Sequence, residues 1–267
     1  MTRSAVRRAL KPVRQQYQDG DSGRNTDHAE RAASLPPTGC VNQLLTSLPP
    51  AAIERLTLHL QPVHLERNEV LFRAHEPLRT VYFPQTAIIS LVSRLESGQA
   101  LEVGLVGRDG LAGIAVFPGI TTMSCDGVVQ VAGWSLRMSA NALRHEILAD
   151  EALYSIVGRY AQTLLARSMR MAACNMFHSV EQRCIRWLLT ISDLTNHADM
   201  PLTHDLIATM LGVHRPTVTL VLGTLRRAGL ISETRGRVVI RDRRGLETAC
   251  CECYRAMRDE QSRLLGY

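Results

Sequence analysis

Residues 203–225 constrain the fold of this chain more than any other stretch, because they have the pattern of two short helices joined by a tight turn. Thr203 is a good N-cap residue for the first helix, and Gly212 supplies the permissive backbone that ends it. Pro216 suits the first turn of the second helix, where its missing N–H has no partner within the helix. Apolar residues three and four positions apart give each helix one face to bury. They are Leu206, Ile207, Met210 and Leu211, followed by Val218, Val221, Leu222 and Leu225.

The sequence after this pair has the pattern of a β-hairpin. Cations and a glycine at 226–229 suit the C-terminal end of the second helix. Segments 230–234 and 237–241 have strand composition and are separated by a turn containing Gly236. Two helices that cross at a glycine-containing turn and precede a hairpin predict a winged helix-turn-helix that binds double-stranded DNA. An ordinary helical hairpin within a core is the alternative interpretation.

The distribution of charge supports the DNA-binding interpretation. The whole chain has a formal net charge of +6. Residues 201–245 alone contain eight arginines and three carboxylates, which gives a net charge of +5. A basic segment of this kind attracts phosphate backbones in a salt-dependent manner, although a solvated charged face has the same composition.

Cysteine usage and hydropathy indicate the cellular compartment of the protein. The seven cysteines form no repeating framework, and their odd number suggests reduced thiols. No apolar run approaches the roughly 20 residues that a helix needs to cross a bilayer. We therefore expect a cytoplasmic protein that does not interact with a membrane.

Candidate metal-ligating and catalytic residues do not form a recognised pattern. Cys250, Cys251 and Cys253 are close in sequence, but adjacent cysteines on a helix point in different directions, and a closed zinc site needs four ligands. The sequence also lacks a Ser-His-Asp arrangement, an H-E-x-x-H motif, a phosphate-binding loop and paired carboxylates. We predict no metal, no cofactor and no enzymatic activity. The alternatives are a metal- or redox-responsive regulator with His and Cys ligands and, from a different class, a metal-dependent jelly-roll enzyme.

The first half of the chain predicts a β-roll. Residues 1–38 are polar and basic and predict a disordered tail. A helical pattern over 42–60 is followed by short segments of strand length separated by turn residues, which indicates a jelly-roll-like sheet structure. The predicted strands are 63–65, 69–72, 80–83, 87–95, 100–106, 127–132 and 134–138.

A long helical pattern joins the β-roll to the helix-turn-helix. Residues 139–175 read as helix, and a heptad-like seam over its second part predicts a helix that pairs with a second copy. The candidate dimerisation residues are Leu153, Val157, Tyr160, Leu164 and Met171, with Arg167 inside the seam. A helix packed on its own β-roll is the alternative. Further helices are predicted over 179–193 and 243–265.

The order of elements and several motifs resemble the Crp/Fnr family of bacterial transcription regulators over residues 42–245. The resemblance rests on V-Y-F-P at 81–84 followed by I-I-S-L-V at 88–92, and on E-V-G-L-V-G-R-D-G-L-A-G at 102–113. It rests most specifically on L-G-V-H-R-P-T-V-T at 211–219 followed by L-R-R-A-G-L-I. The resemblance implies an α+β fold, a homodimer on a palindromic operator, contact with RNA polymerase and a small-molecule effector.

The resemblance also implies a domain division. A disordered tail at 1–38 precedes a cyclic-nucleotide-binding-like sensor domain at 39–138 and a dimerisation linker at 139–178. The winged helix-turn-helix domain follows at 179–245, and a C-terminal helix occupies 246–267.

Departures from the family pattern bear on the effector. Members that bind cyclic AMP hold the ribose with a Glu and the phosphate with an Arg. The corresponding segments here are 110–113, which has no carboxylate, and 121–126, which has no Arg. A cyclic phosphate would lack its charge-assisted partners, so we expect an effector other than cyclic AMP. The candidate pocket residues are Gly110, Leu111, Ala112, Gly113, Ser124 and Cys125. An iron–sulfur cluster is unsupported, since only Cys40 precedes the β-roll.

The second helix of the pair is the predicted recognition helix. The resemblance supports Arg215 as the principal base reader, through bidentate hydrogen bonds to a guanine. Where family members often have Glu and then Arg, this chain has Pro216 and Leu220, so we expect a different operator. Thr219 and Leu220 are candidates for contacts with thymine methyl groups. The candidates for backbone contact are His214, Thr217, Arg235 and Arg237, and Thr203 completes the predicted interface.

Overall fold

The computed structural model describes residues 39–117 and 119–267, so the predicted tail at 1–38 lies outside the described residues. The described chain begins with two short helices, α1 (Gln43–Thr46) and α2 (Pro50–Thr57). The buried Asn42 caps α1 by accepting a hydrogen bond from the backbone N–H of Leu45 at 3.1 Å. Its side-chain amide donates to the carbonyl oxygens of Pro84, at 2.9 Å, and Gly110, at 2.8 Å. One buried polar side chain therefore fastens α1 to the sheets that follow.

Seven strands form the β-roll, close to the predicted ranges. They are β1 (Gln61–Leu65), β2 (Val70–Phe72), β3 (Thr80–Pro84), β4 (Ile88–Arg94), β5 (Ala100–Val106), β6 (Asp126–Val131) and β7 (Gly133–Ser139). They make two antiparallel sheets in the orders β1-β7-β3 and β2-β6-β4-β5. This arrangement confirms the predicted α+β fold with an N-terminal β-roll.

Strands β4 and β5 are buried on both faces because each face is covered by a different part of the chain. Ile89 and Val106 belong to the core inside the β-roll. Their neighbours Ile88 and Leu105 belong to a second core that is formed mainly by the C-terminal half. Since successive side chains of a strand point to opposite faces, the two halves of the protein share these two strands.

The predicted helical stretch after the β-roll consists of two helices, α3 (Ala140–Ala149) and α4 (Glu151–Phe177). The break lies at Asp150, whose extended backbone (φ −137°, ψ 112°) ends α3. Its carboxylate accepts a hydrogen bond from the N–H of Leu153 at 2.9 Å and also pairs with Arg55. A side-chain cap therefore starts α4 and ties it to α2.

The face of α4 that we predicted to pair with a second copy is used within the chain. Leu153, Val157, Tyr160 and Leu164 are buried in the β-roll core, so the alternative of a helix packed on its own β-roll describes these four side chains. Met171 is half-buried. Arg167, the charged residue in the seam, lies 2.7 Å from the buried carboxylate of Asp109. The four buried residues are therefore corrected to intrachain packing positions.

The C-terminal half contains the predicted helix pair and hairpin. Its elements are α5 (Val180–Thr195), β8 (Asp199–Met200), α6 (His204–Leu211), α7 (Arg215–Arg227), β9 (Ile231–Thr234), β10 (Arg237–Ile240), α8 (Arg243–Ala249) and α9 (Cys253–Leu265). The segment between α5 and α6 contributes β8, which makes a three-stranded sheet of order β8-β10-β9. The single terminal helix predicted over 243–265 is two helices, separated at 250–252.

A buried carboxylate connects the two halves. Glu102 on β5 accepts a hydrogen bond from the indole N–H of Trp187 on α5 at 3.0 Å and another from the Ser90 hydroxyl at 2.9 Å. Burial raises the pKa of Glu102 to about 7, against the opposing effects of these two hydrogen bonds and the positive charge of Arg186. Near neutral pH this carboxyl group is therefore divided between its protonated and ionised forms.

The raised pKa of Glu102 predicts that the free energy of unfolding depends on pH. Its pKa in the folded chain exceeds the ordinary value of 4.5, so the folded state binds more protons than the unfolded chain between pH 4.5 and about 7. The free energy of unfolding should therefore fall as pH rises through that range, by at most about 3 kcal/mol from this group. The Glu102→Gln variant should lack this contribution, as measured by urea unfolding at several pH values. Glu96→Gln, which removes an exposed carboxylate, is the control and should keep the pH dependence of the wild type. Equal slopes of the unfolding free energy against pH in the two variants would contradict the prediction.

Candidate nucleic-acid interface

Helices α6 and α7 have the geometry of a helix-turn-helix. Their axes differ in direction by 110°, within the range of such pairs. Gly212 ends α6 in the left-handed region, with φ 63° and ψ 40°. At the start of α6, the Thr203 hydroxyl accepts a hydrogen bond from the N–H of Leu206 at 3.3 Å. Thr203 and Gly212, which predicted the two ends of the first helix, therefore lie at the ends of α6.

The turn between the two helices lies against the β-roll. A Cβ atom added to Gly212 would stand 2.9 Å from Cδ1 of Leu101 on β5. Gly212 is therefore required both by its backbone conformation and by the closeness of this contact.

Helix α7 is divided into an inner and an outer side, as its apolar spacing predicts. Val218, Leu222 and Leu225 are buried in the core of the C-terminal half. On the other side Arg215, Pro216, Thr219 and Leu220 are exposed, and the Leu220 side chain is 74% exposed. Leu220 therefore takes no part in the core of this half. The outer side presents a cation, a hydroxyl and an apolar surface at one end of the helix.

Arg215 stands at the first position of α7 and is only weakly held. Its Nε atom lies 3.5 Å from the carboxylate of Asp205 on α6, and both side chains are largely exposed. An exposed ion pair of this kind contributes little and is screened by salt. The guanidinium group is therefore free to exchange this carboxylate for the acceptor atoms of a base.

His204 was not predicted from the sequence, and it links three elements of this domain. Its Nδ1 lies 2.9 Å from the hydroxyl oxygen of Thr219 on α7, and its Nε2 lies 2.7 Å from a carboxylate oxygen of Glu233 on β9. The Thr219 hydroxyl also donates to the carbonyl oxygen of Arg215 at 3.2 Å. With the hydroxyl engaged in this way, the methyl group of Thr219 is the part best suited to an apolar contact with a base.

The remaining predicted contact residues surround α7. His214 precedes the helix and is exposed, while Thr217 is half-buried in its first turn. Arg235 is exposed at the turn of the β9–β10 hairpin, beside Gly236 with φ 74°. Arg237 forms a surface ion pair with Asp199, with 2.9 Å between Nε and the carboxylate. The structure thus places cations on the wing and at the start of α7.

The predicted effector pocket is not assembled by its six residues. Leu111 and Ala112 are buried in the β-roll core, and a Cβ atom added to Gly110 would overlap the ring of Tyr160. Ser124 is exposed, and burial raises the pKa of the half-buried Cys125 to about 11. These residues are thus divided between core and surface, and the ring of Tyr160 on α4 occupies the space beside Gly110.

A cavity of about 440 Å³ lies elsewhere, between the two halves of the protein. Four arginines line it, Arg108, Arg241, Arg243 and Arg258. Asp193 lies within it too, and accepts a hydrogen bond from Arg243 at 2.6 Å and another from the hydroxyl of Tyr254 at 2.8 Å. The lining comes from the β-roll, α5, the wing and the C-terminal helices.

Four potential metal ligands also meet, although the sequence suggested no metal site. The ligating atoms of Cys174, His178, Cys251 and Cys253 all lie within 4.8 Å of one another. The predicted helix through 250–252 is interrupted, so the objection that neighbouring cysteines diverge along a helix does not apply there.

Among residues 39–117 and 119–267, no single helix is long and apolar enough to cross a membrane. Helices α6 and α7 meet that criterion only when taken together across their 110° bend.

Comparison with known proteins agrees with this geometry. Residues 182–249 match the family model of the Crp-like helix-turn-helix domain. A CRP-like cAMP-activated global transcriptional regulator of Mycobacterium tuberculosis (strain CDC 1551 / Oshkosh) is 27% identical over 202 residues, covering 72% of this chain and 89% of the relative.

Solved structures share the fold. A CRP-family transcriptional regulator of Thermus thermophilus superimposes with a TM-score of 0.57 at 23% identity, over 70% of this chain and 95% of its own. The c-di-GMP responsive global regulator CLP of Xanthomonas campestris gives a TM-score of 0.58 at 20% identity, over 71% and 98%.

A β-roll joined by a long helix to a winged helix-turn-helix with an exposed recognition helix defines a DNA-binding transcriptional regulator. Residues 182–249 belong to the Crp-like helix-turn-helix domain family, and over most of its length the chain is similar to a CRP-like regulator and shares the fold of Crp/Fnr-type regulators.

Proposed function

We propose that this regulator binds a palindromic operator as a homodimer and responds to an effector other than cyclic AMP. The observation that carries the proposal is the exposed outer side of α7, with Arg215 at its first position and Leu220 five residues further on. A helix with this exposure can enter the major groove while its buried side stays in the core. The protein then acts on DNA together with RNA polymerase, and it regulates rather than catalyses.

Within this proposal the outer side of α7 contacts base edges, and the surrounding residues contact the DNA backbone and fix the position of the protein along the duplex. Arg215 donates bidentate hydrogen bonds to a guanine, and Leu220 and the Thr219 methyl group contact thymine methyl groups. Pro216 faces the groove without a hydrogen-bond donor. The backbone contacts come from Thr203, His214, Thr217, Arg235 and Arg237. The domain boundaries at 39–138, 139–178 and 179–245 belong to the same proposal.

A different face of α4 supports the homodimer. Tyr154, Leu165, Met169 and Met176 are between 49% and 78% exposed, although all are large and apolar. At 100° per residue these four positions lie within about 60° of one another, on the side of the helix away from Tyr160 and Leu164. The ring of Tyr154 also packs against Phe117, with 4.9 Å between ring centroids, so Leu165, Met169 and Met176 are the open part of the stripe. An exposed apolar stripe of this kind marks an interaction surface, and the same stripe of a second copy is the partner that a two-fold dimer provides.

The packing of α4 also supports an effector other than cyclic AMP. The related mycobacterial regulator is described as cAMP-activated. Here Leu111 and Ala112 lie in the core where a carboxylate would be needed, and the ring of Tyr160 occupies the space beside Gly110. A cyclic nucleotide at this segment would meet apolar side chains without a charge-assisted partner, which is costly.

The first test is selection of bound sequences from random duplex DNA by the purified protein without an effector. Enrichment of a palindromic site would support a dimer that is competent to bind. An enriched site without two-fold symmetry would contradict the palindromic operator, and the isolated residues 179–267 should then be examined for half-site binding.

Arg215→Ala should weaken binding to the selected site by about 1–3 kcal/mol and relax preference at one base pair in each half-site, because the bidentate contact to guanine is lost. Competition binding with single-base variants of the site measures both effects. Arg235→Ala is the matched control, since loss of a phosphate contact should weaken all sites equally and reduce the salt slope by about 1. Unchanged base preference in the Arg215 variant would show that Arg215 does not recognise a base.

The double variant Leu165→Arg, Met169→Arg should shift the protein from dimer to monomer, because two cations would face their symmetry mates across the apolar stripe. Sedimentation equilibrium should show at least about a tenfold rise in the dimer dissociation constant, the equivalent of about 1.4 kcal/mol. Leu148→Arg is the control, since Leu148 is also an exposed apolar residue but lies on α3, outside the stripe. A dimer unaffected by the double variant would exclude this face of α4.

A further inference from the structure

The end of α4 and the break before α9 bring four thiol and imidazole groups together. Cys174 and His178 are four residues apart at the C-terminal end of α4, so they share one face of the helix. Cys251 lies in the non-helical connection between α8 and α9, and Cys253 is the first residue of α9. The two segments are more than seventy residues apart in sequence, and the packing of α9 along α4 joins them.

The distances within this cluster suit one tetrahedral ion. The sulfur atoms of Cys174 and Cys251 are 3.7 Å apart, and Nδ1 of His178 lies 3.7 Å from the sulfur of Cys253. Ligands at the bond lengths usual for Zn²⁺, about 2.3 Å to sulfur and about 2.0 Å to nitrogen, are separated by roughly 3.5–3.8 Å along the edges of a tetrahedron. The ligating atoms are too close for an iron–sulfur cluster, in which several irons and bridging sulfides separate the protein ligands.

The surroundings of the cluster also match a metal site. The other imidazole nitrogen of His178, Nε2, lies 3.1 Å from a carboxylate oxygen of Glu252. A carboxylate in this position fixes the orientation of a ligating imidazole, as outer carboxylates commonly do in zinc sites. The three cysteine side chains are buried, while the His178 side chain is 17% exposed and Glu252 is largely exposed. The site is thus enclosed on the sulfur side and open to an entering ion on the histidine side.

We propose that Cys174, His178, Cys251 and Cys253 bind one divalent ion of the zinc class and that this ion controls the orientation of the DNA-binding half. His178 is the C-cap of α4, and the next residue, Ser179, is the N-cap of α5. An ion bound there fixes the junction between α4 and α5 and anchors the start of α9 to it. The control of DNA binding rests on the function proposed above, whereas the metal site itself does not.

The site is tested with Co²⁺ as a spectroscopic substitute for Zn²⁺, added to the reduced, chelator-treated full-length protein. One Co²⁺ per chain should bind, with the intense visible bands of a tetrahedral ion and near-ultraviolet bands from thiolate coordination, and Zn²⁺ should displace it. Cys251→Ser should lose these thiolate bands and weaken binding at least about tenfold, while circular dichroism checks that the variant is folded. Cys250→Ser is the matched control, because Cys250 is the neighbouring thiol but lies outside the four-ligand group.

Several outcomes would overturn the metal site. They are the absence of thiolate bands in the wild-type protein, full retention of these bands in folded Cys251→Ser, and their loss in Cys250→Ser alone. A disulfide between Cys174 and Cys251 in protein purified under reducing conditions would also overturn it, since it would remove two ligands.

The regulatory role is tested by operator binding of the metal-free and Zn²⁺-loaded protein. Ordering the α4–α5 junction should tighten binding at least about fivefold in the wild type and in Cys250→Ser, but not in Cys251→Ser. Equal affinities of the metal-free and loaded forms would overturn regulation by the ion. Normal Co²⁺ bands in a protein that binds no DNA would support the metal site and contradict the proposed function. DNA binding by a protein without Co²⁺ bands would support the proposed function and contradict the metal site.

Discussion

The two-sided burial of strands β4 and β5 is the constraint on which the arrangement of this protein depends. Each strand places alternate side chains in the core of the β-roll and in the core of the C-terminal half. Neither half can bury its apolar surface fully without the other, so the two are joined by packing as well as by the chain. The hydrogen bond from Trp187 to Glu102 lies within this shared surface and satisfies a carboxyl group that would otherwise be buried at a high cost.

Helix α4 serves three purposes with three different parts of its surface. One face, with Tyr160 at its centre, completes the β-roll core and occupies the neighbourhood of Gly110. The opposite face exposes the apolar stripe that we assign to a second copy. The last turn brings Cys174 and His178 to the thiols that precede α9. A single rigid element therefore touches the sensor core, the proposed dimer surface and the junction with the DNA-binding half.

Much of the fold followed from the sequence, because its strongest signals are local. The N-cap Thr203, the glycine at 212 and the apolar spacing of α7 each act within a few residues, and the structure confirms the helix-turn-helix that they predict. The heptad-like seam of α4 was assigned to the wrong partner, since a helix with two apolar faces gives no local indication of which one meets its own core. His204 and the cluster around Cys251 were missed for a related reason, because their partners are distant in sequence and only tertiary packing brings them together.

The contact between Gly212 and Leu101 has a mechanical consequence. The turn that orients the recognition helix rests directly on a side chain of the β-roll, with no intervening element. Helix α6 and the turn after it are therefore placed against β5 by direct packing, in addition to the covalent connection through α4 and α5. The position of the recognition helix therefore depends on β5 of the sheet as well as on its connection through α4 and α5.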